Sequence, residues 1–356
     1  MTIIRAVHAW LTDIGSPPLE RPVSATDLQS DRVASSRPTF GFFLLLITAA
    51  TIASLGLIAD STAVVVGAMI VAPLMNPILS ISFGSVTMDG CLIRRSLGTI
   101  ALGVLVVLGT AFLIASFLPV NIVGREIMAR TSPNLIDLGI AIAAGIAGAF
   151  SLTRSRVASS IAGVAIAVAL VPPLCVVGIG MAVGSDVGSS FGPAAEGGLG
   201  SRVAAGSFLL FLANLIGIEL AASVTFLSQG YGSARKAWLS IALAVVLTCL
   251  IAGPLSGAFQ EFRMKKRVDI EISRIGSREP QIWNQVQVRY LDVQWEDRTA
   301  VVTMIITAPE GLISSEDLSV LNKTLGRSLR PYGVQGLRST IKLIPVKVTS
   351  FYEEYR

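Results

Sequence analysis

Two apolar stretches carry prolines where a simple membrane helix would be unbroken. The first, VGAMIVAPLMNPILSISFG, covers residues 66–84 and holds Pro73, Asn76 and Pro77. Proline donates no backbone hydrogen bond, and its ring clashes with the carbonyl group four residues earlier. An Asn-Pro pair is also a favourable helix start, with Asn at the N-cap and Pro at the first helical position. We therefore expect one half-helix to end near Leu74 and a second, capped by Asn76, to follow it.

A break of this kind leaves backbone groups that can bind a solute. Free N–H groups and the positive end of the helix dipole suit an anion or a carboxylate, whereas free carbonyl groups suit a cation. In hydrocarbon such groups need a partner from protein, water or a solute. Pro172 and Pro173 predict a second, facing break, and Asn76 and Ser80 are the expected polar contacts at the first. The alternative is a proline kink that only shapes helix packing.

An ionisable side chain lies inside another apolar stretch, FLLFLANLIGIELAAS, where Glu219 follows Asn214 by five residues. A charged residue inside a membrane helix costs roughly 2.5–3.5 kcal/mol on insertion scales, which makes it a functional candidate. We expect Asn214 and Glu219 to line the site or to couple it to a proton or Na⁺. The alternative places Glu219 near one membrane face, in contact with water.

The composition is that of an integral membrane protein. Of the 356 residues, 52% are hydrophobic and 14% are charged, against about 25% charged residues in soluble domains. The mean hydropathy is +0.70. The basic residues are scattered through short loops and one cluster, RMKKR, so the net charge of +5 indicates placement at a membrane surface rather than binding to nucleic acid. We expect a multi-pass protein of the cell (inner) membrane.

Enzymatic and metal chemistry are not expected. His8 is the only histidine, and Cys91, Cys175 and Cys249 lack the spacing of metal ligands. The apolar segments hold no paired carboxylates and no nucleophile–histidine set, and the chain has no nucleotide-binding motif. The sequence therefore predicts a protein that is not an enzyme and has no cofactor and no metal site.

The chain divides into six parts by composition. They are a polar arm with an amphipathic helix at 1–38, membrane repeat 1 at 39–118, a loop at 119–134, membrane repeat 2 at 135–227, an additional transmembrane helix at 237–259, and a soluble α+β domain at 260–356. In the last part, residues 286–295, 299–308 and 339–351 are predicted strands, and Ser315 is the predicted N-cap of a helix.

The proline-containing stretch occurs twice. Aligning Gly67 with Gly163 pairs Pro77 with Pro173 in one register, and the preceding spans align as well. If each unit has three crossings, the second is inverted relative to the first, as in many secondary transporters. The expected fold class is thus a polytopic α-helical membrane protein with two inverted three-helix repeats containing broken helices, plus a small C-terminal soluble α+β domain. Chance matching of apolar sequence is the alternative.

Three segments carry a family resemblance. GAMIVAPLMNPI and GVAIAVALVPPLCVVG resemble the two signature stretches of domain-of-unknown-function family 389, the uncharacterized bacterial and archaeal hydrophobic membrane proteins, and FLLFLANLIGIELAAS is also similar to that family. The resemblance covers about residues 39–259. The family pattern more often has glycine where Asn76 stands. The resemblance implies a polytopic membrane domain and supplies no substrate.

The function we expect is membrane transport of a small polar or charged solute that binds between the two breaks. The partners would be a small-molecule or ion substrate and the lipid bilayer. Small residues along the spans permit close helix approach, and between subunits this would give a homo-oligomer, in the first place a dimer. An ion channel is one alternative, and a membrane-anchored sensor or assembly scaffold acting through the C-terminal domain is another. Basic residues do not decide the orientation, because the count ties at about eight on each side.

Overall fold

The computed structural model describes residues 21–118, 120, 124–131, 133–154, 170–183, 199–278, 283, 285–296 and 299–346. Parts of the predicted regions lie outside the described residues, among them residues 1–20 of the polar arm with its amphipathic helix, and residues 155–169 and 184–198 of membrane repeat 2. The chain forms two compact units, Met1–Ala252 and Gly253–Arg356.

The described part of the first unit is helical. Its elements are α1 (Ala25–Ser35), α2 (Phe40–Ile58), α3 (Thr62–Val71), α4 (Met75–Thr87), α5 (Gly90–Phe117), α6 (Arg125–Met128), α7 (Leu135–Leu152), α8 (Val171–Val183), α9 (Leu199–Ser228) and α10 (Ala234–Arg278), the last of which continues into the second unit.

Apolar helices of spanning length identify a membrane protein. Within the described residues, α2, α5, α7 and the Val203–Ser228 part of α9 are each long and apolar enough to cross a bilayer. The pair α3 and α4 meets the same criterion when taken together. Shorter apolar helices are α8 and the Ile241–Leu250 part of α10.

The helices α3 and α4 meet at a bend of 52°. The first ends at Val71 and the second begins at Met75, with Leu74 at the N-cap position. The prediction that Asn76 caps the second helix is wrong, because Asn76 is its second residue. The physical reason is that the first N–H groups of a helix have no intrahelical acceptor. Pro77 therefore fits in the first turn without requiring the helix to start directly before it.

Contacts with α1 and its flanking residues mark one end of the first unit, here called the α1 end. The hydroxyl of Thr99 donates to the carbonyl oxygen of Ser36 at 2.7 Å. The N–H of Val23 donates to the carbonyl of Thr153 at 3.0 Å, and the hydroxyl of Tyr231 donates to the carbonyl of Val23 at 2.5 Å. The first turns of α5 therefore lie at the α1 end, and α7 and α9 end there. Because only a short turn joins α4 to α5, α4 also ends there.

Contacts with α6 mark the opposite end, here called the α6 end. The N–H of Glu126 donates to Oδ1 of Asp60 at 2.7 Å, and the hydroxyl of Thr62 donates to Oε1 of Glu126 at 2.5 Å. The hydroxyl of Ser207 donates to the carbonyl of Arg130 at 3.0 Å. Hence α2 ends and α3 begins at the α6 end, and α9 begins there.

The helix α8 runs toward the α6 end. A Cβ atom built on Gly180, near the end of α8, would lie only 2.8 Å from the carbonyl oxygen of Gly200 at the beginning of α9. Taken together, α2, α5 and α8 run from the α1 end to the α6 end. The segment formed by α3 and α4 runs in the opposite direction, as do α7 and α9.

The second unit contains a three-stranded sheet in the order β1–β2–β3. The strand β1 (Gln287–Glu296) is antiparallel to β2 (Thr299–Pro309), which is parallel to β3 (Gly336–Val346), and α11 (Ser315–Leu329) makes the crossover. Its core includes Met264 and Val268 from α10. This is the small C-terminal sheet region that was predicted, although the helix N-cap is Ser314 rather than Ser315. The helix α10 also runs through the RMKKR cluster to Arg278.

Candidate functional site

The carboxylate of Glu219 lies deep within an apolar span. Glu219 is sixteen residues after Val203 and nine before Ser228, the limits of the spanning part of α9. At 1.5 Å per residue it lies about 14 Å from the nearer end of this span and about 5 Å from its middle. The side chain is half-buried. This depth argues against the alternative in which Glu219 sits at a water-exposed membrane face.

The carboxylate of Glu219 is linked to α4 through serine residues. The hydroxyl of Ser223 lies 3.1 Å from Oε1 of Glu219 and 3.4 Å from the carbonyl oxygen of Ser82 in α4. The side chain of Ser85, also in α4, lies beside the carboxylate. Ser82, Ser85 and Ser223 are all buried. The result is a cluster of oxygen atoms, hereafter the Glu219 cluster, that joins α9 to α4.

The Glu219 cluster can accept a proton without losing its hydrogen bonds. A hydroxyl group carries one proton, so Ser223 donates to one of its two neighbouring oxygens at a time. When Glu219 is ionised, Ser223 donates to the carboxylate. When Glu219 is protonated, it can donate to the oxygen of Ser223, and Ser223 can then donate to the carbonyl of Ser82. Rotation of one hydroxyl therefore serves both charge states, which is what a reversible proton-binding site needs.

Asn214 lies on a different side of α9 from Glu219. It is buried and precedes Ile218 by one turn, and the backbone of Ile218 lies so close to α7 that a Cβ atom on Gly145 would be 2.6 Å from its carbonyl oxygen. Residues five apart on a helix are separated by about 140° at 3.6 residues per turn. Asn214 therefore belongs to the contact with α7, and the structure does not bring it into the Glu219 cluster.

The residues predicted at the first break have separate surroundings. Pro73 is half-buried in the bend, Asn76 is exposed and Pro77 is buried. The buried hydroxyl of Ser80 lies 3.1 Å from the carbonyl oxygen of Arg32 in α1 and 2.9 Å from that of Asn76. Ser80 thus links α4 to α1 through backbone atoms instead of pointing into the break.

Pro172 and Pro173 lie buried in the first turn of α8. They occupy the same positions in α8 that Asn76 and Pro77 occupy in α4, and missing N–H groups are tolerated there. The helix α8 packs against α2, α3, α5 and α9, whereas α4 packs against α1, α5, α7 and α9. The two short helices therefore share α5 and α9 as neighbours.

Within the described residues, no three His, Cys, Asp or Glu side chains come close enough together to hold a metal ion. Sequence reasoning missed Ser82, Ser85 and Ser223. A signal existed for Ser223, because it follows Glu219 by one helical turn and so shares its face. No local signal existed for Ser82 and Ser85, since only the folded chain brings α4 to α9.

Comparison with known proteins bears on the membrane part of the chain. Residues 69–220 match a family described as a domain of unknown function, DUF389, and this range includes α4, α5, α7, α8 and Glu219. An uncharacterized protein of Methanocaldococcus jannaschii is 32% identical over 195 residues, which are 55% of this chain and 55% of that protein. The match thus spans about half the length of the relative. The family resemblance expected from the two proline-containing stretches is therefore confirmed, because residues 69–220 match the model of domain-of-unknown-function family 389.

Proposed function

We propose that this protein is a membrane transporter for a small polar or charged solute, and that Glu219 binds a proton whose movement is coupled to that of the solute. The membrane part is built, in this proposal, from two inverted repeats. The first comprises α2, the bent segment of α3 and α4, and α5. The second comprises α7, the segment that ends with α8, and α9.

The helix directions support inversion. In the first repeat α2 and α5 run from the α1 end to the α6 end, and the bent segment runs back. In the second repeat α7 and α9 run from the α6 end to the α1 end, and α8 runs the other way. Each element of one repeat thus runs opposite to its counterpart in the other, which is the arrangement found around the binding sites of many secondary transporters.

The pattern of helix neighbours supports the same symmetry. The helix α2 packs on α5, as α7 packs on α9, and α4 packs on α5, as α8 packs on α9. Across the repeats, α4 packs on α9 and α8 packs on α5, while α8 contacts α2 and α4 contacts α7. Exchanging the two repeats replaces α2 with α7, α4 with α8 and α5 with α9. Each of these helix contacts then becomes another contact that the structure also contains. A pseudo-twofold axis predicts this result, whereas chance matching of apolar sequence does not.

The short helices supply inward-pointing backbone groups. Both α4 and α8 have 13 residues, which is about 20 Å of helix and less than the roughly 30 Å of hydrocarbon in a bilayer. Each runs outward to one end of the bundle, so its N-terminus begins inside the membrane region. Unbonded N–H groups at such a terminus suit an anionic or polar solute.

The single observation that carries the proposal is the Glu219 cluster. It places an ionisable group near the middle of a span, between α9 of one repeat and the short helix α4 of the other. A carboxylate at that depth costs free energy on insertion into the membrane, and such residues are functional candidates. Relative movement of the repeats would make or break the hydrogen bond between Ser223, which contacts Glu219, and the carbonyl of Ser82, so protonation and conformation would depend on each other.

The test is thermal unfolding of the detergent-purified protein against a panel of inorganic ions, organic anions, amino acids and polyols. A ligand at about 100 times its Kd adds about 2.7 kcal/mol to the native state. We expect one solute class to raise the unfolding temperature by an amount that changes with pH. Glu219→Gln should remove the pH dependence of that shift, and Asn76→Ala at the bend should weaken the shift itself.

Thr225→Val is the matched control. Thr225 is buried on α9 two residues beyond Ser223, and its hydroxyl donates to the carbonyl of Ala221 in the same helix. This variant should keep the wild-type response. If no solute shifts the unfolding temperature of the wild-type protein, the proposal fails in favour of the scaffold alternative. If a shift occurs but has the same pH dependence in Glu219→Gln, the coupling role of Glu219 is wrong.

A further inference from the structure

A guanidinium group is buried on the opposite side of α4 from Glu219. Arg32 in α1 is 5% exposed, and its Nε and Nη1 atoms have no hydrogen-bond partner among the described residues. The described residues also offer it no ion pair. Burial holds the pKa of Arg32 down, to about 10, and the one opposing influence is the neighbouring Asp31, which is exposed.

The position of Arg32 follows from the geometry of α1. Leu28 and Arg32 are the buried residues of this helix and lie one turn apart, so they share the face that packs on the bundle. The backbone of Arg32 is held by α4, through the hydroxyl of Ser80 at 3.1 Å. One turn later Ser36 is held by Thr99 of α5. The Arg32 side chain therefore extends from a helix that is fixed against both α4 and α5.

A second orphaned polar atom lies in the same region. Ser96 of α5 is completely buried, and its hydroxyl has no partner among the described residues. It lies one turn before Thr99, just as Arg32 lies one turn before Ser36 in α1. Two donor groups without partners among the described residues, one of them cationic, thus each lie one helical turn from the hydrogen bond between Thr99 and Ser36. Buried polar groups almost always have a partner, and buried charges are paired.

We propose that Arg32 and Ser96 form a binding site for an oxyanion, a phosphate or carboxylate group, between α1, α4 and α5 at the α1 end. This site goes beyond the proposed transport function and uses none of the atoms of the Glu219 cluster. An oxyanion offers several acceptors to a guanidinium and a hydroxyl and cancels the buried positive charge.

The depth of the site in the membrane is compatible with two sources of the oxyanion. The helix α5 has 28 residues, or about 42 Å, which exceeds the roughly 30 Å of hydrocarbon by about eight residues. Arg94 and Arg95 belong to the part of α5 at the α1 end, so Ser96 and Thr99 lie near the boundary between hydrocarbon and headgroups. Both a lipid phosphate and a free anion can reach this level.

The experiment measures the unfolding temperature of the full chain in a neutral detergent. One arm adds inorganic phosphate at constant ionic strength, with chloride as the reference anion. The other adds phosphatidylglycerol to the micelles, with phosphatidylcholine as the reference lipid. We expect the unfolding temperature to rise in at least one arm and to keep rising with the logarithm of anion concentration. A rise in the first arm alone identifies a free anion, and a rise with phosphatidylglycerol alone identifies a lipid.

Variants separate binding from folding. Arg32→Met removes the charge and keeps most of the packing, so it should abolish the anion response while unfolding at a higher temperature than wild type in chloride, because an unpaired buried charge is destabilising. Ser96→Ala should weaken anion affinity roughly tenfold, the effect of one hydrogen bond to a charged group. Arg94→Met, at an exposed arginine of the same end, should leave the response unchanged. Absence of any response in wild type, or a response that persists in Arg32→Met, overturns the proposal.

Discussion

Gly178 in α8 lies directly against the backbone of Leu108 in α5. A Cβ atom at Gly178 would be only 2.7 Å from the carbonyl oxygen of Leu108, which is a backbone atom and so cannot rotate away. This is the contact through which the short helix of one proposed repeat packs on the other. Glycine is required here for the closeness of the two helices and not for its backbone angles.

We therefore predict that Gly178→Ala destabilises the membrane part by about 1–3 kcal/mol, the usual cost of overpacking. Thermal unfolding in detergent measures this change. The control is Gly109→Ala, one residue beyond Leu108 in α5, where nothing lies within 4 Å of an added Cβ. That variant should match or exceed the stability of wild type, because alanine is the better helix former by about 1 kcal/mol. Equal effects of the two variants would contradict the close packing of α8 on α5.

Asp60 connects the end of α2 to α6. It has a positive φ of 52°, its Oδ1 accepts the N–H of Glu126 at 2.7 Å, and its Oδ2 lies 3.5 Å from Nε of Arg125. Because Arg125 is 94% exposed, we expect the ion pair to contribute little. Asparagine keeps the acceptor and tolerates this backbone conformation, so Asp60→Asn should change the unfolding free energy by less than about 0.5 kcal/mol.

Asp60→Ala, by contrast, removes the acceptor and places a less tolerant residue at positive φ, and should cost about 1–3 kcal/mol. Chemical denaturation in mixed micelles distinguishes the two variants. A loss in Asp60→Asn as large as that in Asp60→Ala would mean that the charge of Asp60, rather than its hydrogen bond, holds α6 in place.

The basic residues of the whole sequence tie, but the arginines in the described residues of the first unit, Met1–Ala252, are unevenly distributed and predict the orientation of the bundle. Arginines near membrane boundaries mark the cytoplasmic side, and they are more numerous at the α1 end. Those at the α1 end include Arg37, Arg94, Arg95, Arg154 and Arg235, and those at the α6 end are Arg125, Arg130 and Arg202. We predict that the α1 end faces the cytoplasm.

Cysteine labelling checks this orientation. Cys91 is exposed in the first turn of α5, whereas Cys175 is buried. In a Cys249→Ser background, a membrane-impermeant maleimide should label Cys91 only after spheroplasts are permeabilised. Arg125→Cys, placed in a chain that also carries Cys91→Ala, should react in intact spheroplasts. The reverse pattern of labelling would place the α6 end in the cytoplasm.

The second unit carries a pH-sensitive helix cap. The N–H and hydroxyl of Ser314 both donate to Oδ2 of Asp317, at 2.9 and 2.7 Å, and these bonds hold the pKa of Asp317 below its ordinary value. A depressed carboxyl pKa gives stability that is present above the unfolded-state pKa, near 3.8, and is lost as the pH falls through the lower native value. Asp317→Asn should therefore unfold at lower urea concentration than wild type at neutral pH.

That difference in urea midpoint, followed by tryptophan fluorescence, should shrink as the pH falls below the unfolded-state pKa and should disappear at a pH below the native pKa, where Asp317 is neutral in both states. Glu316→Gln, in the same helical turn, is the comparison variant. A difference between Asp317→Asn and wild type that stays constant down to this pH would show that the side-chain shape, and not the ionised carboxylate, carries the effect.

The sequence predicted features that depend on local or periodic signals. The apolar helices, the C-terminal sheet region and the family follow from such signals and are supported. The prediction that Asn76 is an N-cap was wrong, because proline is tolerated throughout the first turn and therefore does not determine the residue at which the helix begins. Arg32 was missed because α1 has no strong amphipathic pattern, and its burial depends on α4 and α5. Ser82 and Ser85 lie near Glu219 only because α4 packs on α9. These helices are far apart in the sequence, and no local sequence pattern predicts that they pack together.

The central claim is that Glu219 carries the proton that moves with the solute. The most direct measurement uses proteoliposomes that contain a pH-sensitive dye and receive the solute identified by the stability panel. Wild type and Thr225→Val should change the internal pH when the solute is added, whereas Glu219→Gln should bind the solute and move no protons. Proton movement that continues in Glu219→Gln, or solute uptake that proceeds without any proton movement in wild type, would contradict the account.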